Sequence, residues 1–400
     1  MSWPKRPLEE VADFCLGKML DQTKNRGDLL PYLANVNVRW GDFDLEALRE
    51  MRFEQRELDR FGLKYGDIVM CEGGEPGRCA IWKEQMPAMM FQKALHRIRP
   101  HECLNHEYLY YYFLYRGRAG HFSPLFTGAT IKHLPREKLA KVEVEVPPLP
   151  IQERIASILS AYDDLIENNR RRIQLLEQAA RLLYKEWFVH LRFPGHEHAT
   201  ITDGVPVGWE QKPLVDIAEF NLGKMLDERK NRGDLKPYLA NVNVRWARIV
   251  LDNLREMRFE QRELEKFSLK LGDILMCEGG EPGRCAMWKD QIPGMMFQKA
   301  LHRIRAAKDM DYRFLFHSLF HEAQSGKLAG LFTGSTIKHL PREKLAKVEL
   351  VIPHQSLMQS FAEQVGPIED QISALEAAAR KAAKARDLLL PRLMNGEIAV

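Results

Sequence analysis

The apolar residues of the chain follow two different rhythms, and the change between them divides the sequence. From residue 151, and again from residue 361, apolar positions recur at steps of three and four, which is typical of a coiled-coil helix. The first series is Ile151, Ile155, Ile158, Tyr162, Leu165 or Ile166, Asn169, Ile173, Leu176, Ala180, Leu183 and Trp187. The second is Phe361, Val365, Ile368, Ile372, Leu375, Ala379, Ala382, Leu389 and Leu393. Two long helices that pair with each other are predicted, although two independent surface helices also fit.

The composition of these helices supports pairing. Asn169 is a polar residue in the first seam, where such a residue can fix the register of a coiled coil. The second helix is rich in alanine over residues 377–385, which allows a partner helix to approach closely. Residues 192–208, between the first helix and the next globular segment, are rich in Pro, Gly, His and Thr and predict an exposed connector.

Shorter apolar runs separated by turn signals fill the rest of the chain. Residues 65–71 predict a turn followed by a strand, and residues 79–82 predict the next strand of a meander. Residues 48–61 and 104–115 are predicted to be helical. The globular segments therefore predict an α+β domain with a curved antiparallel sheet.

An internal repeat dominates the sequence. Each residue from Trp3 to Pro147 has a counterpart 206 positions later, and 66 of the 84 residues from Leu16 to Arg99 are identical to theirs. The chain is therefore predicted to contain the same domain twice. The predicted boundaries are a first recognition domain at 1–148, a long helix at 149–190, a linker at 191–207, a second recognition domain at 208–353 and a long C-terminal helix at 354–400.

Length and composition are those of an ordinary globular protein. The chain has 400 residues, of which 45% are hydrophobic and 28% are charged, which excludes disordered and collagen-like classes. The N-terminus lacks the apolar core of a signal peptide and no apolar run is long enough to span a bilayer, so a soluble cytoplasmic protein is expected. The formal net charge of +4 permits a polyanionic partner without requiring one.

Motifs of catalysis and metal binding are not evident. The glycine-rich segment 72–78 lacks the Gly-Lys-Ser/Thr ending of a phosphate-binding loop and predicts a tight turn. Carboxylates such as Asp67 and Glu72 are candidate metal ligands, but a solvated or turn-capping role is favoured. Cys71 and Cys79 followed by His96, and their counterparts Cys277, Cys285 and His302, are spaced unlike structural zinc sites and predict buried thiols and structural histidines. The chain is therefore expected to be non-catalytic, with no metal site.

Residue types that read nucleic acid recur in both copies. Lys and Arg suit phosphate and guanine, Asn and Gln suit adenine, and Trp packs on sugars or bases. The first-copy candidates are Lys18, Lys24, Arg26, Asn35, Asn37, Arg39, Trp40, Arg78, Gln92, Lys93, Thr130, Lys132 and His133. The second-copy candidates are Lys224, Lys230, Arg232, Asn241, Asn243, Arg245, Trp246, Arg284, Gln298, Lys299, Thr336, Lys338 and His339. Because Asn35 and Asn37 alternate with valines, they either form one exposed face of a strand or cap neighbouring turns.

Several segments together resemble the specificity subunit of Type I restriction-modification systems. They are residues 66–78 (GDIVMCEGGEPGR), 91–99 (FQKALHRIR), 147–156 (PPLPIQERIA), 163–177 (DDLIENNRRRIQLLE) and 388–397 (LLLPRLMNGE). The resemblance covers nearly the whole chain. It implies two target-recognition domains that read a bipartite double-stranded DNA site, separated by two long helices that pair as an antiparallel coiled coil.

The resemblance also implies where the chemistry lies. In that family the helices bind two modification subunits, which use S-adenosylmethionine to methylate adenine, and the full complex adds restriction subunits that use ATP with magnesium. No cofactor is expected in this chain. Because the two copies are nearly identical and two-fold proteins read two-fold sites, we predict an interrupted palindrome. The alternatives are a DNA- or RNA-binding adaptor without a methyltransferase partner and a self-contained metal-dependent nuclease.

Overall fold

The computed structural model describes residues 3–21, 23–46 and 48–400. The chain forms two compact units, one of Met1–Arg170 with Glu376–Val400 and one of Arg171–Leu375. Each unit therefore contains one copy of the repeat together with a part of each long helix.

The first unit is built from short strands and short helices that precede a long helix. The strands are β1 (Lys5–Pro7), β2 (Ala12–Leu16), β3 (Asp28–Leu33), β4 (Arg49–Phe53), β5 (Ile68–Cys71), β6 (Cys79–Ile81), β7 (Met90–Phe91), β8 (Leu95–Pro100) and β9 (Glu143–Glu145). The helices are α1 (Leu8–Val11), α2 (Leu58–Phe61), α3 (His106–Arg118), α4 (Arg136–Ala140) and α5 (Leu149–Tyr184), the last of which continues into the second unit. Single 3-10 turns lie at Asn35–Asn37, Gln55–Glu57 and Ser123–Leu125.

Two sheets form the centre of this domain. The first is antiparallel with the strand order β2-β8-β5-β6, and the second has the order β4-β3-β7, in which β3 and β7 run parallel. Strand β1 pairs with β9 and joins the two ends of the domain. The prediction of an α+β domain whose sheet is mainly antiparallel is therefore confirmed.

Strand β5 has no polar side because both of its faces are buried. Ile68 and Met70 face helix α3 and the long helices, whereas Val69 and Cys71 face the second sheet. A strand covered on both faces reads as a continuous apolar run instead of an alternating one. This explains why the apolar run alone was enough to place β5.

The helix predicted at residues 48–61 is wrong for its first half. Residues Arg49–Phe53 form β4, which pairs with β3 and places Met51 and Phe53 in the core. From Glu50 to Phe53 exposed and buried residues alternate, with Glu50 and Arg52 exposed, so the period is two. Only the 3-10 turn and α2 that follow are helical.

The second unit repeats this plan. Its strands are β10 (Ile201–Thr202), β11 (Val205–Pro206), β12 (Glu210–Pro213), β13 (Ala218–Leu222), β14 (Asp234–Leu239), β15 (Val244–Arg245), β16 (Arg248–Ile249), β17 (Arg255–Phe259), β18 (Ile274–Cys277), β19 (Cys285–Met287), β20 (Met296–Phe297), β21 (Leu301–Ala306) and β22 (Glu349–Ile352). Its helices are α6 (Leu214–Ile217), α7 (Gln261–Phe267), α8 (Tyr312–Gln324), α9 (Arg342–Leu345) and α10 (Gln355–Met394), which continues into the first unit. The sheets β13-β21-β18-β19, β17-β14-β20 and β12-β22 match those of the first unit. The β10-β11 hairpin is additional, whereas β15-β16 corresponds to a hairpin of the first unit that has only the single bridge Val38–Phe43.

The two long helices run in opposite directions within each unit. In the first unit, Ile155 and Leu159 near the start of α5 share a core with Leu390 and Leu393 near the end of α10. In the second unit, the last turns of α5 share a core with the first turns of α10. This confirms the antiparallel pairing, and Asn169, predicted in the seam, is buried. In the described residues no helix combines the length and the apolar character of a membrane span.

Hydrogen bonds and ion pairs connect the domain helices to the long helices. Asp163 on α5 accepts a hydrogen bond from the Tyr111 hydroxyl on α3 at 2.7 Å and forms an ion pair with Arg386 on α10. In the second unit, Arg313 on α8 pairs with Glu369 on α10 at 2.9 Å. Burial raises the pKa of Glu369, and the nearby positive charge of Arg313 opposes that rise.

His317 makes the stability of the second unit depend on pH. It is buried beside Tyr184 and Phe361, and its pKa is lowered to about 3 by burial and by the positive charges of Arg181 and Lys289. Folding therefore holds it neutral, whereas the unfolded chain binds a proton near pH 6.5. Stability is present in full above that value and is lost as the pH falls. This residue alone is expected to cost about 2 kcal/mol between pH 7 and pH 5.

The substitution His317→Phe tests this directly. We expect the fall in unfolding free energy between pH 7 and pH 5, measured by denaturant titration, to shrink by about 2 kcal/mol. The exposed His198→Gln serves as the control and is expected to leave the pH dependence unchanged. An unaltered pH dependence in His317→Phe would show that this histidine is not the source.

Candidate nucleic-acid interface

Loops that are distant in the sequence meet around the turn between β5 and β6. The turn, residues 72–78, contacts three other segments through backbone hydrogen bonds and side chains. We call the resulting group of residues 17–21, 23–27, 35–40, 72–78, 92–94 and 127–133 the first loop cluster. Its assembly depends on a small number of contacts.

The loop after β2 is held against the loop after β7. Lys18 N–H donates to the Phe91 carbonyl at 3.1 Å, and Lys93 N–H donates to the Lys18 carbonyl at 2.9 Å. A Cβ at Gly17 would lie 2.4 Å from the Gln92 backbone, so only glycine permits this approach. Residues 92–94 in turn reach the central turn, because Glu72 N–H donates to the Ala94 carbonyl at 2.9 Å.

The Gly/Thr loop closes on the other side of the same turn. Thr127 and His133 exchange backbone hydrogen bonds of 2.8 Å, and Leu134 N–H donates to the Glu72 carbonyl at 2.7 Å. The His133 ring lies against Gly73. Residues 128–132 therefore form a closed tip whose side chains all face solvent.

The Asn35–Trp40 segment completes the cluster. Arg78 donates from Nη2 to the Asn35 carbonyl at 2.9 Å, and Trp40 Nε1–H donates to Glu75 Oε1 at 3.2 Å. Trp40 also packs on Gly117 of α3. The central turn is therefore bound to every other segment of the cluster, directly or through residues 92–94.

The second copy has the same cluster, which we call the second loop cluster: residues 223–233, 241–246, 278–284, 298–300 and 333–339. Leu340 N–H donates to the Glu278 carbonyl at 2.7 Å, Arg284 Nη2 donates to the Asn241 carbonyl at 2.9 Å, and Trp246 Nε1–H donates to Glu281 at 3.1 Å. Each of these contacts has its counterpart in the first cluster. The geometry is therefore duplicated together with the sequence.

The candidates predicted from sequence divide into exposed and inward-facing residues. The exposed ones are Lys24, Arg26, Arg39, Lys93, Thr130, Lys132 and His133, with Lys230, Arg232, Arg245, Lys299, Thr336, Lys338 and His339 in the second copy. Half-buried are Asn35, Trp40, Arg78 and Gln92, with Asn241, Trp246, Arg284 and Gln298. Buried are Lys18, Asn37, Lys224 and Asn243.

Lys18 is engaged inside the domain. Its ammonium group pairs with Glu57 at 2.5 Å, donates to the Arg52 carbonyl at 2.9 Å and lies over the Phe53 ring. Burial alone would raise the pKa of Glu57, but hydrogen bonds from Lys18 and from the Glu54 backbone hold it below its usual value. Lys224 repeats the arrangement with Glu263. This pair fixes the cluster to the sheet, so both lysines are structural.

Asn37 and Asn243 cap a turn, as one of the two interpretations of the sequence proposed. Residues Asn35–Asn37 form a 3-10 turn instead of a strand, so there is no exposed polar strand face. Asn37 Oδ1 accepts from Ala34 N–H at 2.9 Å, and its Nδ2 donates to the Asp44 carbonyl at 3.0 Å. With both ends of the amide occupied inside the fold, this side chain has no free edge for a base.

Other polar groups singled out in the sequence are also structural. Asp67 is fully buried and accepts two hydrogen bonds of 2.7 Å from Arg99 as well as one from Lys64 N–H. Burial raises the pKa of the Cys71 and Cys79 thiols and lowers that of His96, whose Nε2 lies 2.8 Å from the Leu134 carbonyl. No group of three or more His, Cys, Asp or Glu side chains in the described ranges is placed to bind a metal ion.

Exposed apolar residues of the clusters were missed by sequence reasoning. Met19, Val36 and Ile131 have 57%, 58% and 63% of their surface exposed, and the counterparts of all three are similarly exposed. Large apolar side chains within otherwise polar loops are unusual, and this feature of the sequence could have identified them as candidates. On a surface that also carries cations, such groups suit contact with thymine methyl groups or base faces.

The chain consists of two tandem α+β domains, each of which is joined to parts of two long helices. Each domain carries the same loop cluster. The chain belongs to the Type I restriction modification DNA specificity domain family, whose model matches residues 2–178 and 206–381.

Known relatives agree with this assignment. The chain is 25% identical to the Type I restriction enzyme MjaIX specificity subunit of Methanocaldococcus jannaschii, covering 100% of this chain and 94% of the relative. It is 22% identical to the HindI specificity subunit of Haemophilus influenzae over 67% of this chain and 72% of the relative. The crystal structure of a Type I S subunit from M. genitalium has the same fold, with a TM-score of 0.56 at 15% identity, covering 98% of this chain and 96% of that one.

The substitution Asn37→Ala distinguishes a turn cap from a base contact. We expect a loss of about 2–3 kcal/mol in unfolding free energy, because the Ala34 N–H and the Asp44 carbonyl lose their partner inside the fold. Val36→Ala, at the exposed neighbouring position, is the control and is expected to change stability by less than about 0.5 kcal/mol. Unchanged stability in Asn37→Ala, with altered DNA sequence preference, would restore the base-reading role.

Proposed function

We propose that this chain is the DNA-recognition subunit of a Type I restriction-modification complex and that the two loop clusters are its DNA-reading surfaces. The observation that carries the proposal is the duplication of one exposed surface rich in cations, amides and apolar tips, in a member of the specificity family. Helix α5 separates the two readers along the sequence. Methyl transfer and DNA cleavage are assigned to partner chains.

Within each cluster the exposed residues suit different parts of DNA. Lys24, Lys93 and Lys132 are long, exposed cations that suit phosphate groups, which position a protein without specifying sequence. Gln92 and the tip residues Thr130 and Ile131 suit base edges. The Thr127–His133 closure holds the tip in one conformation, so its side chains are presented without a large ordering cost.

The site read by the complex is proposed to be an interrupted palindrome. Of the thirteen positions predicted for DNA reading in the first cluster, all thirteen carry the same residue in the second. Because the two clusters share every candidate reading residue, the two halves of the site are proposed to have the same sequence. The antiparallel helix segments found within each unit favour inverted halves over direct repeats.

Partners complete the proposed activity. Two modification subunits that bind S-adenosylmethionine methylate adenine within the site, and restriction subunits driven by ATP with magnesium join the same complex. The chain itself is proposed to be non-catalytic and to act with its partners in the cytoplasm. Its contributions are recognition of the site and the spacing of the two halves.

Mapping of modified bases tests this proposal. The chain is expressed with the modification subunit encoded beside it in a host free of DNA methylation, and N6-methyladenine is mapped by long-read sequencing. We expect one motif with two inverted, identical halves on either side of an unread spacer. Two unlike halves would contradict the palindrome, and an assembled complex that methylates no motif would contradict the proposed function.

The phosphate role of the closed tip has a separate test. Lys132→Ala combined with Lys338→Ala is expected to weaken duplex binding for every sequence. The slope of log affinity against log salt is expected to fall by about 0.9 for each lost phosphate contact, hence by about 2 for the pair. Lys141→Ala with Lys347→Ala, exposed counterparts outside the clusters, is the control. An unchanged salt slope in the first double variant would place the phosphate contacts elsewhere.

A further inference from the structure

The two domains carry the same candidate reading residues but different charge. Over residues 16–55 the first copy has a formal charge of −1, whereas the corresponding residues 222–261 of the second copy have a formal charge of +3. The largest single contribution is the replacement of Asp42 by Arg248. This difference is concentrated beside the loop clusters, in the segment that follows Trp40 and Trp246.

The backbone of this segment forms a similar hairpin in both copies. Gly41 and Ala247 both have left-handed φ angles, of 78° and 59°. Their N–H groups donate to the carbonyls of Cys79 and Cys285 at 3.0 and 2.9 Å. Since the fold is unchanged, the side-chain charges are the main difference between the two hairpins.

In the first copy the hairpin neutralises its own arginine. Arg39 N–H donates to the Asp42 carbonyl at 2.8 Å, and the Arg39 guanidinium pairs with Asp44 at 3.3 Å and donates to the Val36 carbonyl. Asp42 therefore lies opposite Arg39 in the hairpin, and the carboxylate of Asp44 is in contact with it. The first hairpin carries a net negative charge and is unsuited to phosphate.

In the hairpin of the second copy two arginines face each other. Arg245 and Arg248 are direct partners in the β15-β16 ladder, both are exposed, and Val250 stands where Asp44 neutralised Arg39. Among the described residues no carboxylate lies within ion-pair distance of either guanidinium. Like charges directly opposite one another in a ladder are destabilising unless an anion lies between them.

We infer that the Arg245/Arg248 hairpin is a phosphate-binding site for the DNA backbone that the first domain lacks. The second domain is therefore the stronger electrostatic anchor, although both domains read the same bases. The hairpin adjoins the second loop cluster, since Trp246 at its turn donates to Glu281. This inference rests on the proposed function, because it takes duplex DNA as the anion.

The test compares charge changes at equivalent positions of the two domains. The full chain, in complex with its modification subunit, is titrated with a 40-base-pair duplex of mixed sequence at several salt concentrations. Arg248→Asp, which restores the first-copy residue, is expected to lower the salt slope by about one to two, because it removes one phosphate contact and neutralises Arg245. Lys347→Asp, the same charge change outside the hairpin, is expected to leave the slope within about 0.5 of wild type.

The reciprocal change keeps the inference testable if Arg248→Asp folds poorly. Asp42→Arg in the first domain is expected to raise the salt slope by about one, because it creates the missing site on the same backbone. If the wild-type complex binds the duplex but Arg248→Asp and Lys347→Asp behave alike, the hairpin does not contact phosphate and the inference is wrong. If Arg248→Asp lowers the melting temperature and leaves the slope unchanged, the arginine pair is structural and the inference is again wrong. A wild-type complex that does not bind duplex DNA at any salt concentration would instead contradict the proposed function.

Discussion

Neither recognition domain buries its core with its own residues alone, and this constraint governs the rest of the molecule. The first domain needs Ile155 and Leu159 of α5 together with Leu390, Leu393 and Met394 from the last turns of α10. The second needs the opposite halves of the same two helices. Each long helix therefore has an apolar face that packs on one domain near its start and on the other near its end. Packing at both ends requires a continuous apolar seam and a fixed register between the two helices.

The same constraint explains where the two copies differ. Helices α3 and α8 pack against unlike helix segments, and their sequences share almost nothing: Tyr111 bonds to Asp163, whereas His317 stacks on Tyr184. Among the described residues no hydrogen bond or ion pair joins a loop cluster to a long helix, and there nearly all residues are retained. Lys18 with Glu57, and Lys224 with Glu263, connect the clusters to the sheets, so a nearly identical surface is held on two domains whose helix-facing sides have diverged.

Local patterns predicted the long helices, β5, β6 and the repeat, because each of these is defined by neighbouring residues. The predictions from local patterns failed where tertiary contacts determine the structure. Residues 49–53 look helical by composition but pair with β3, which a single segment does not reveal. Asn37 resembles a base reader until its partners Ala34 and Asp44 are known. The clusters themselves depend on contacts between residues far apart in the sequence, such as Leu134 with Glu72, which are 62 residues apart. The periodicity of the sequence does not predict such contacts.

The position of Leu390, Leu393 and Met394 has a consequence for synthesis on the ribosome. The first domain is translated first, yet Leu390, Leu393 and Met394, which close its core, are made only after the whole of the second domain. The apolar face of the first domain stays open until these residues are made, while the second domain emerges and folds. A chain that terminates before residue 390 would leave that face uncovered and would therefore be recognisable to chaperones and proteases.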